Sequence, residues 1–345
     1  MVGIIGYGAY IPKYRIKLEE IAKVWGKNPQ EVISSLGVAE KSVAGIDEDA
    51  VTMAVEAGQT ALKMGGVDSS RIGSILVGSE THPYAVNPSS TIIGETLACG
   101  NNYLACDLEF ACKAATTGIW LTTGLIESQK IDYGLVIGSD CAQAKPHDVL
   151  EYTAGSAATA FILGNKKNEV MAEILDFATF SSDTPDFWRR DGIRYPAHAG
   201  RFTGKPGYFA HVIGAAKKLF QKSGTEPSDF DYCVFHMPNG KFPKRVAKIL
   251  GFSFSQLESS LIVEKIGNPY SASSLLGLCQ VLDQAQPEAK IFFVSYGSGA
   301  GADGFIFQTT KNLMKKRRLA KKVAEFIKNK SYLSYAQYLK IRRKI

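Results

Sequence analysis

The sequence has no apolar run of about 18 residues or more, so no membrane-crossing helix is expected. Its first residues, Met1-Val-Gly-Ile-Ile-Gly-Tyr-Gly8, lack both the basic flank and the cleavage site of a secretory signal. The expectation is a soluble protein of the cytoplasm. The six cysteines, Cys99, Cys106, Cys112, Cys141, Cys233 and Cys279, include no CxxC pair and no Cys/His cluster at zinc spacing. A disulfide framework and a metal site are therefore not expected. Acidic residues are nearly missing from one place: residues 311–345 carry 13 Lys/Arg against Glu325 alone. The net charge of +7 belongs to that tail, because residues 1–310 hold 27 basic and 32 acidic side chains. Such a block is expected to be a solvated helix or arm. Its ending, Tyr332-Leu-Ser-Tyr-Ala-Gln-Tyr-Leu-Lys-Ile-Arg-Arg-Lys-Ile345, has the spacing of a protein-docking element rather than of a nucleic-acid arm, and no nucleic-acid partner is expected.

What is present is a large apolar core: 345 residues at 45% hydrophobic content suffice for two domains or two fused halves of roughly 150 residues each. Strand-like runs at 2–10, 74–79, 133–139 and 159–164 alternate with helical segments near 50–64, 89–98 and 114–128. After residue 165 the pattern restarts, with strands at 170–180, 232–235, 291–296 and 304–309 and helices near 210–222, 242–250 and 271–284. Continuous apolar strands bounded by helices indicate sheets covered on both faces. Two segments echo one another: Gly155-Ser-Ala-Ala-Thr-Ala-Phe-Ile-Leu163 with Gly299-Ala-Gly-Ala-Asp-Gly-Phe-Ile-Phe307, and Tyr133-Gly-Leu-Val-Ile-Gly-Ser-Asp140 with Lys290-Ile-Phe-Phe-Val-Ser-Tyr-Gly297. This predicts an internal duplication, with an N-terminal half over 1–165, a C-terminal half over 166–310 and the tail over 311–345. Strand ends from both halves would meet at a central site.

Four residues carry chemistry in that frame. Cys112 sits in Asp107-Leu-Glu-Phe-Ala-Cys-Lys-Ala-Ala-Thr-Thr-Gly118, a small-residue turn between an extended run and a helix. There the helix dipole favours thiolate, and backbone N–H groups can face an acyl oxygen. Glu80 leaves a strand at its C-terminal end, in Gly78-Ser-Glu-Thr-His-Pro-Tyr-Ala85, where a raised pKa would suit a general base or acid, and His82 competes within the same loop. His236, in Tyr232-Cys-Val-Phe-His-Met-Pro-Asn-Gly-Lys241, is again at a strand exit, and Asn268 stands in Lys265-Ile-Gly-Asn-Pro-Tyr-Ser271. An imidazole N–H and an amide NH2 converging on one point make an oxyanion site for a carbonyl or enolate.

On these motifs the chain resembles, over essentially its whole length, the thiolase-superfamily condensing enzymes, most closely the archaeal-type 3-hydroxy-3-methylglutaryl-CoA (HMG-CoA) synthases. The resemblance implies a thiolase-like α/β fold of two duplicated halves in αβαβα layers. It implies condensation of acetyl-CoA with acetoacetyl-CoA through acetyl-Cys112, then hydrolysis to HMG-CoA, in the supply of isoprenoid precursors. Glu80 would be the acid/base; His236 and Asn268 would hold the acetoacetyl carbonyl, and Ser298 the acyl-enzyme oxygen. No cofactor beyond the coenzyme A thioesters is implied. Their phosphates would meet Lys241 and Arg245, four apart on one helix face, and Arg201, with Thr203 in the same loop. Thr153, Asn28 and Pro29 would touch substrate. A homodimer is implied, and relatives associate with an acetoacetyl-CoA thiolase and a small OB-fold zinc-ribbon protein. The sibling alternative is ketoacyl-acyl-carrier-protein synthase III, which has no glutamate like Glu80, because loss of CO₂ makes its carbanion without a base. A non-catalytic assembly subunit acting through the tail is an alternative of another class. The long insertions of eukaryotic synthases are missing.

Overall fold

The computed structural model describes residues 1–142 and 144–343, with Arg201 described by its backbone alone. Nine strands form the central sheet: β1 (Gly3–Tyr10), β2 (Ile72–Gly78), β3 (Leu104–Leu108), β4 (Tyr133–Cys141), β5 (Ser156–Gly164), β6 (Ala172–Thr184), β7 (Tyr232–Phe235), β8 (Lys290–Gly297) and β9 (Gly299–Thr309). Their order is β7-β8-β9-β6-β1-β5-β4-β2-β3. From the middle outward, the order β1-β5-β4-β2 is matched by β6-β9-β8-β7. In each, the first two pairings are antiparallel and the third is parallel. Among the described residues, a short β1–β6 pairing at Gly3/Glu173 and Ile4/Ala172 alone joins the two sets in the sheet. The two sequence echoes fall on β5 with β9 and on β4 with β8, which hold the same places in the two sets. Leu104–Leu108 forms an edge strand not singled out from sequence, being short and partly exposed.

Helices α1 (Ala50–Gly65), α2 (Ser89–Thr96), α3 (Ala114–Glu127), α4 (Ala210–Ser223), α5 (Phe242–Leu250) and α6 (Ser273–Leu282) supply the layers. α1 packs on β1, β5 and β4, α4 packs on β6, β9 and β8, and α6 lies between, against β7, β8, β1 and β5. Nine of the residues of α6 are buried, as a helix packed against strands of both sets must be. Close approach of α1 to β1 depends on Gly8, where a Cβ would lie 2.0 Å from the Ala57 carbonyl oxygen. Among the described residues no helix is long and apolar enough to cross a membrane.

The basic tail is not the solvated arm expected from its charge. Residues 311–343 fold onto the body through helices Lys311–Lys316, Val323–Lys328 and Tyr335–Ile341, and Leu313, Val323, Leu333, Tyr335 and Tyr338 are buried. Some of its cations find partners within the chain. Lys316 Nζ donates to the carbonyls of Gly65 (2.9 Å), Glu169 (3.1 Å) and Ile5 (3.3 Å), and Lys330 pairs with Glu40 at 2.6 Å. The tyrosine spacing marks docking, but to this chain's own surface: Tyr335 Oη donates to buried Glu151 (3.1 Å), and Lys41 Nζ sits 4.8 Å over the Tyr338 ring. Tyr338→Ala is accordingly expected to lower the unfolding free energy by about 3 kcal/mol, the usual scale for truncating a buried aromatic. Denaturant unfolding reads this; an unchanged midpoint would mean a loosely attached arm.

Candidate active site

Glycine places the nucleophile beside its partner. Gly78 ends β2, and a Cβ there would lie 2.2 Å from the Ala115 nitrogen, so the first turn of α3 can rest on the strand that leads to Glu80. Cys112 immediately precedes that turn, is 6% exposed, and its thiol donates to Glu80 Oε1 at 3.1 Å. Beneath Glu80 lies Asp140, fully buried at the end of β4. Its Oδ1 accepts from the Ser79 and Thr81 hydroxyls (2.9 and 2.8 Å) and from the Glu80 N–H (2.8 Å), and its Oδ2 accepts from the Ser271 N–H (2.8 Å). One carboxylate thus ties the Glu80 loop to the second half of the chain.

The charge balance differs from the expected thiolate. Burial, then the facing Glu80 carboxylate, push the Cys112 thiol well above its ordinary value, overriding the dipole of α3. Burial and then Asp140 push Glu80 up to about 8. The resting pair therefore keeps its protons, and Glu80 is poised to exchange one near neutral pH. His236 is 1% exposed, and burial pulls it down to about 3, which leaves a neutral imidazole. Its Nδ1 is buried without a hydrogen-bond partner among the described residues, and the residue borders the cavity described next. Asn268 Oδ1 accepts the Tyr270 N–H at 3.0 Å, which turns the side chain so that its NH2 is left to donate.

A cavity of about 410 Å³ brings Cys112, Thr153, Thr203, His236, Asn268 and Ser298 together, with Tyr208, Phe242 and Phe187 among its apolar walls. Asn28 and Pro29 are not part of it. Asn28 instead caps helix Pro29–Leu36, accepting the N–H groups of Gln30 (3.0 Å) and Glu31 (3.3 Å), and it is Leu36 at the other end that reaches the cavity. The loop holding Thr203 is helical, running from Gly200–Thr203 through Gly204–Phe209 into α4. Lys241 is exposed at the N-cap of α5, next to the cavity-lining Phe242; exposed Arg245 lies over the Phe209 ring at 4.8 Å. Lys244, on the neighbouring face, is held by Glu264 at 2.6 Å. The Arg201 side chain lies outside the described residues.

Sequence reasoning missed the supports. Asp140 is the last residue of the repeated segment Tyr133–Asp140, one before the end of β4, and a carboxylate near the end of an apolar strand is the signal that could have found it. Asp186 accepts from Tyr296 Oη (2.6 Å) and the Gly299 N–H (2.8 Å), so it fixes the turn bearing Ser298; nothing in Asp183-Thr-Pro-Asp186 announces that. Tyr270 and Phe187 pack edge to face, ring centroids 6.0 Å apart, and wall the cavity beside Cys112.

A family profile described as 3-oxoacyl-[acyl-carrier-protein (ACP)] synthase III C terminal matches residues 220–309. The hydroxymethylglutaryl-CoA synthase of Archaeoglobus fulgidus is 53% identical over 345 residues, covering 100% of this chain and 99% of that protein. The protein of the same name from Methanocaldococcus jannaschii is likewise 53% identical, with the same coverage. Among solved structures, an HMG-CoA synthase complexed with CoA aligns with TM-score 0.90 at 23% identity, over 99% of this chain and 90% of that one. The 3-oxoacyl-(acyl carrier protein) synthase III of Pseudomonas aeruginosa aligns with TM-score 0.82 at 20% identity, over 90% and 98%. These structures share the fold, which is thiolase-like.

Proposed function

The chain belongs to the hydroxymethylglutaryl-CoA synthase family, and we propose that its acyl transfer runs through the Cys112–Glu80 pair, of which Cys112 lines the 410 Å³ cavity. The enzyme is an acyltransferase that forms HMG-CoA. In the proposed sequence Glu80 takes the thiol proton as Cys112 sulfur attacks the carbonyl of acetyl-CoA, and coenzyme A leaves with that proton. Glu80 then removes a methyl proton from acetyl-Cys112. The carbanion attacks C3 of acetoacetyl-CoA, whose oxygen is held by the His236 N–H and the Asn268 NH2. Protonated Glu80 returns its proton to the new alkoxide; neutral His236 serves as a hydrogen-bond donor rather than an acid. Water finally cleaves the Cys112 thioester. The observation that carries the reading is the 3.1 Å thiol–carboxyl contact opening onto His236 and Asn268. Incubation with acetyl-CoA and acetoacetyl-CoA should yield HMG-CoA. Release of CO₂ from a malonyl donor with no HMG-CoA would instead favour the synthase III chemistry.

A pH profile follows from Glu80. Its carboxylate is the working form of the base, and with a value near 8 only about a tenth is ionised at pH 7. Turnover should rise about tenfold per unit below that value and level off above it. A profile flat between pH 6 and about 8.5 would remove Glu80 from the rate-limiting proton transfer.

The remaining assignments complete the reading. Lys241 and Arg245 at the start of α5 suit the phosphates of coenzyme A, the apolar walls suit its pantetheine arm, and the thioesters supply the activation without a further cofactor. The open edge strand β3, with Leu104 exposed, and exposed Trp120 and Leu121 on α3 support a homodimer across that edge. A thiolase and a zinc-ribbon protein would dock elsewhere than on the tail, which is occupied by its own chain. The cytoplasm is the proposed compartment.

A further inference from the structure

Resting on that reading, we propose that Glu151 is a positioning residue for the condensation step: its carboxyl group fixes the cavity wall that carries Thr153 and holds Asn268, and the C-terminal helix Tyr335–Ile341 grips it through Tyr335. Glu151 lies in the single turn Val149–Tyr152 and is fully buried. On the same short stretch Val149, Leu150 and Thr153 border the 410 Å³ cavity. The Thr153 carbonyl accepts the Asn268 N–H at 2.6 Å, and the Gly155 N–H donates to the Asn268 carbonyl at 2.9 Å. Gly267 packs so tightly there that a Cβ would lie 2.5 Å from the Thr153 carbonyl oxygen. Asn268 therefore takes its place from residues 153–155, and a shift of that wall moves the donor assigned to the acetoacetyl ketone.

Three donors converge on the Glu151 carboxyl group from three separate segments. Its Oε2 accepts from Trp25 Nε1 (3.1 Å) and from the His147 N–H (2.8 Å), and its Oε1 accepts from Tyr335 Oη (3.1 Å). The rings close around it: Trp25 stacks on His147 with centroids 4.2 Å apart and meets Tyr335 edge to face at 6.0 Å. His147 has a φ of 66°, a left-handed backbone uncommon outside glycine, and its N–H bond to Glu151 helps to hold it there. Lys41 Nζ donates both to the Glu151 carbonyl and to Tyr338 Oη (3.2 Å), so the C-terminal helix grips the turn at a second point. Truncation of Glu151 would leave the three donors unmatched and free the turn. Cys112 and Glu80 are anchored elsewhere, through Lys113 on Asp303 (3.0 Å) and through Asp140, so acetylation is expected to be spared.

Three substitutions in the full-length protein separate placement from charge. Glu151→Gln can still accept from Trp25 and His147 through its amide oxygen and donate its NH2 to Tyr335 Oη; Glu151→Ala can do neither, and Tyr335→Phe removes the helix's hydroxyl alone. Intact mass is followed in time after acetyl-CoA and then against rising acetoacetyl-CoA, at a temperature where circular dichroism shows each protein folded. Glu151→Ala is expected to acetylate within about twofold of the wild-type rate, then to discharge the acetyl group about tenfold more slowly or worse, with a higher half-saturating concentration of acetoacetyl-CoA. Tyr335→Phe should slow the same step about threefold, and Glu151→Gln should keep most of the rate. Equal slowing of both steps, condensation at the wild-type rate in Glu151→Ala or in Tyr335→Phe, or Glu151→Gln as slow as Glu151→Ala overturns the inference. If Glu151→Ala does not fold, the Tyr335→Phe result decides by itself. Absence of any acetyl adduct on the wild-type protein would overturn the underlying function reading instead.

Discussion

Cys112→Ala is expected to abolish turnover, by a factor on the order of 10⁵ or more, while leaving the fold intact. The sulfur has no substitute in the described structure. Cys141, the next buried thiol along the chain, has its Sγ 3.9 Å from the Glu48 carbonyl, does not border the 410 Å³ cavity, and is pushed up to about 12 by burial. The cost in stability is small, since the change removes one buried sulfur and no cross-chain bond other than that to Glu80. It also has an electrostatic signature. The thiol's hydrogen bond lowers the Glu80 pKa, so its loss should move Glu80 further up from about 8. Intact mass after acetyl-CoA, beside a thermal melt, checks both parts; an acetyl adduct surviving in Cys112→Ala would place the nucleophile elsewhere.

Glu80→Gln is expected to cost about 10³ to 10⁴ in turnover, with the loss concentrated in the condensation step. Glutamine fills the same space but cannot take a proton. A thiol proton has other routes, through the departing coenzyme A thiolate; a methyl C–H beside a thioester has none in a cavity lined by neutral His236 and Asn268. Acetyl-Cys112 should therefore still form, slowly, and then persist when acetoacetyl-CoA is added. The rise of activity toward pH 8 should vanish with the carboxylate. Equal loss in acetylation and condensation would mean that Glu80 mainly prepares the thiol.

The candidate site was legible in the sequence wherever its residues coincided with a strand exit or a helix start. Glu80, Cys112, His236 and Asn268 all stand at such positions, and the duplicated strands Tyr133–Cys141 and Lys290–Gly297 announced the frame that gathers them. What was not legible depends on contacts between residues far apart in the chain. Asp140 matters through Ser271, and Asp186 through Tyr296. The charge of residues 311–345 suggested an exposed arm because composition counts cations without their partners; Lys316 and Lys330 are satisfied by the body itself. The dipole argument at Cys112 failed for a related reason. It weighed the helix and not the burial or the carboxyl that faces the thiol.

The most direct test of the central claim is the mass of the wild-type protein after acetyl-CoA, with the modified peptide identified, followed by addition of acetoacetyl-CoA. One acetyl group on the peptide containing Cys112, discharged as HMG-CoA, is the predicted result. No adduct, or one on another residue that forms and discharges at a competent rate, would contradict the account.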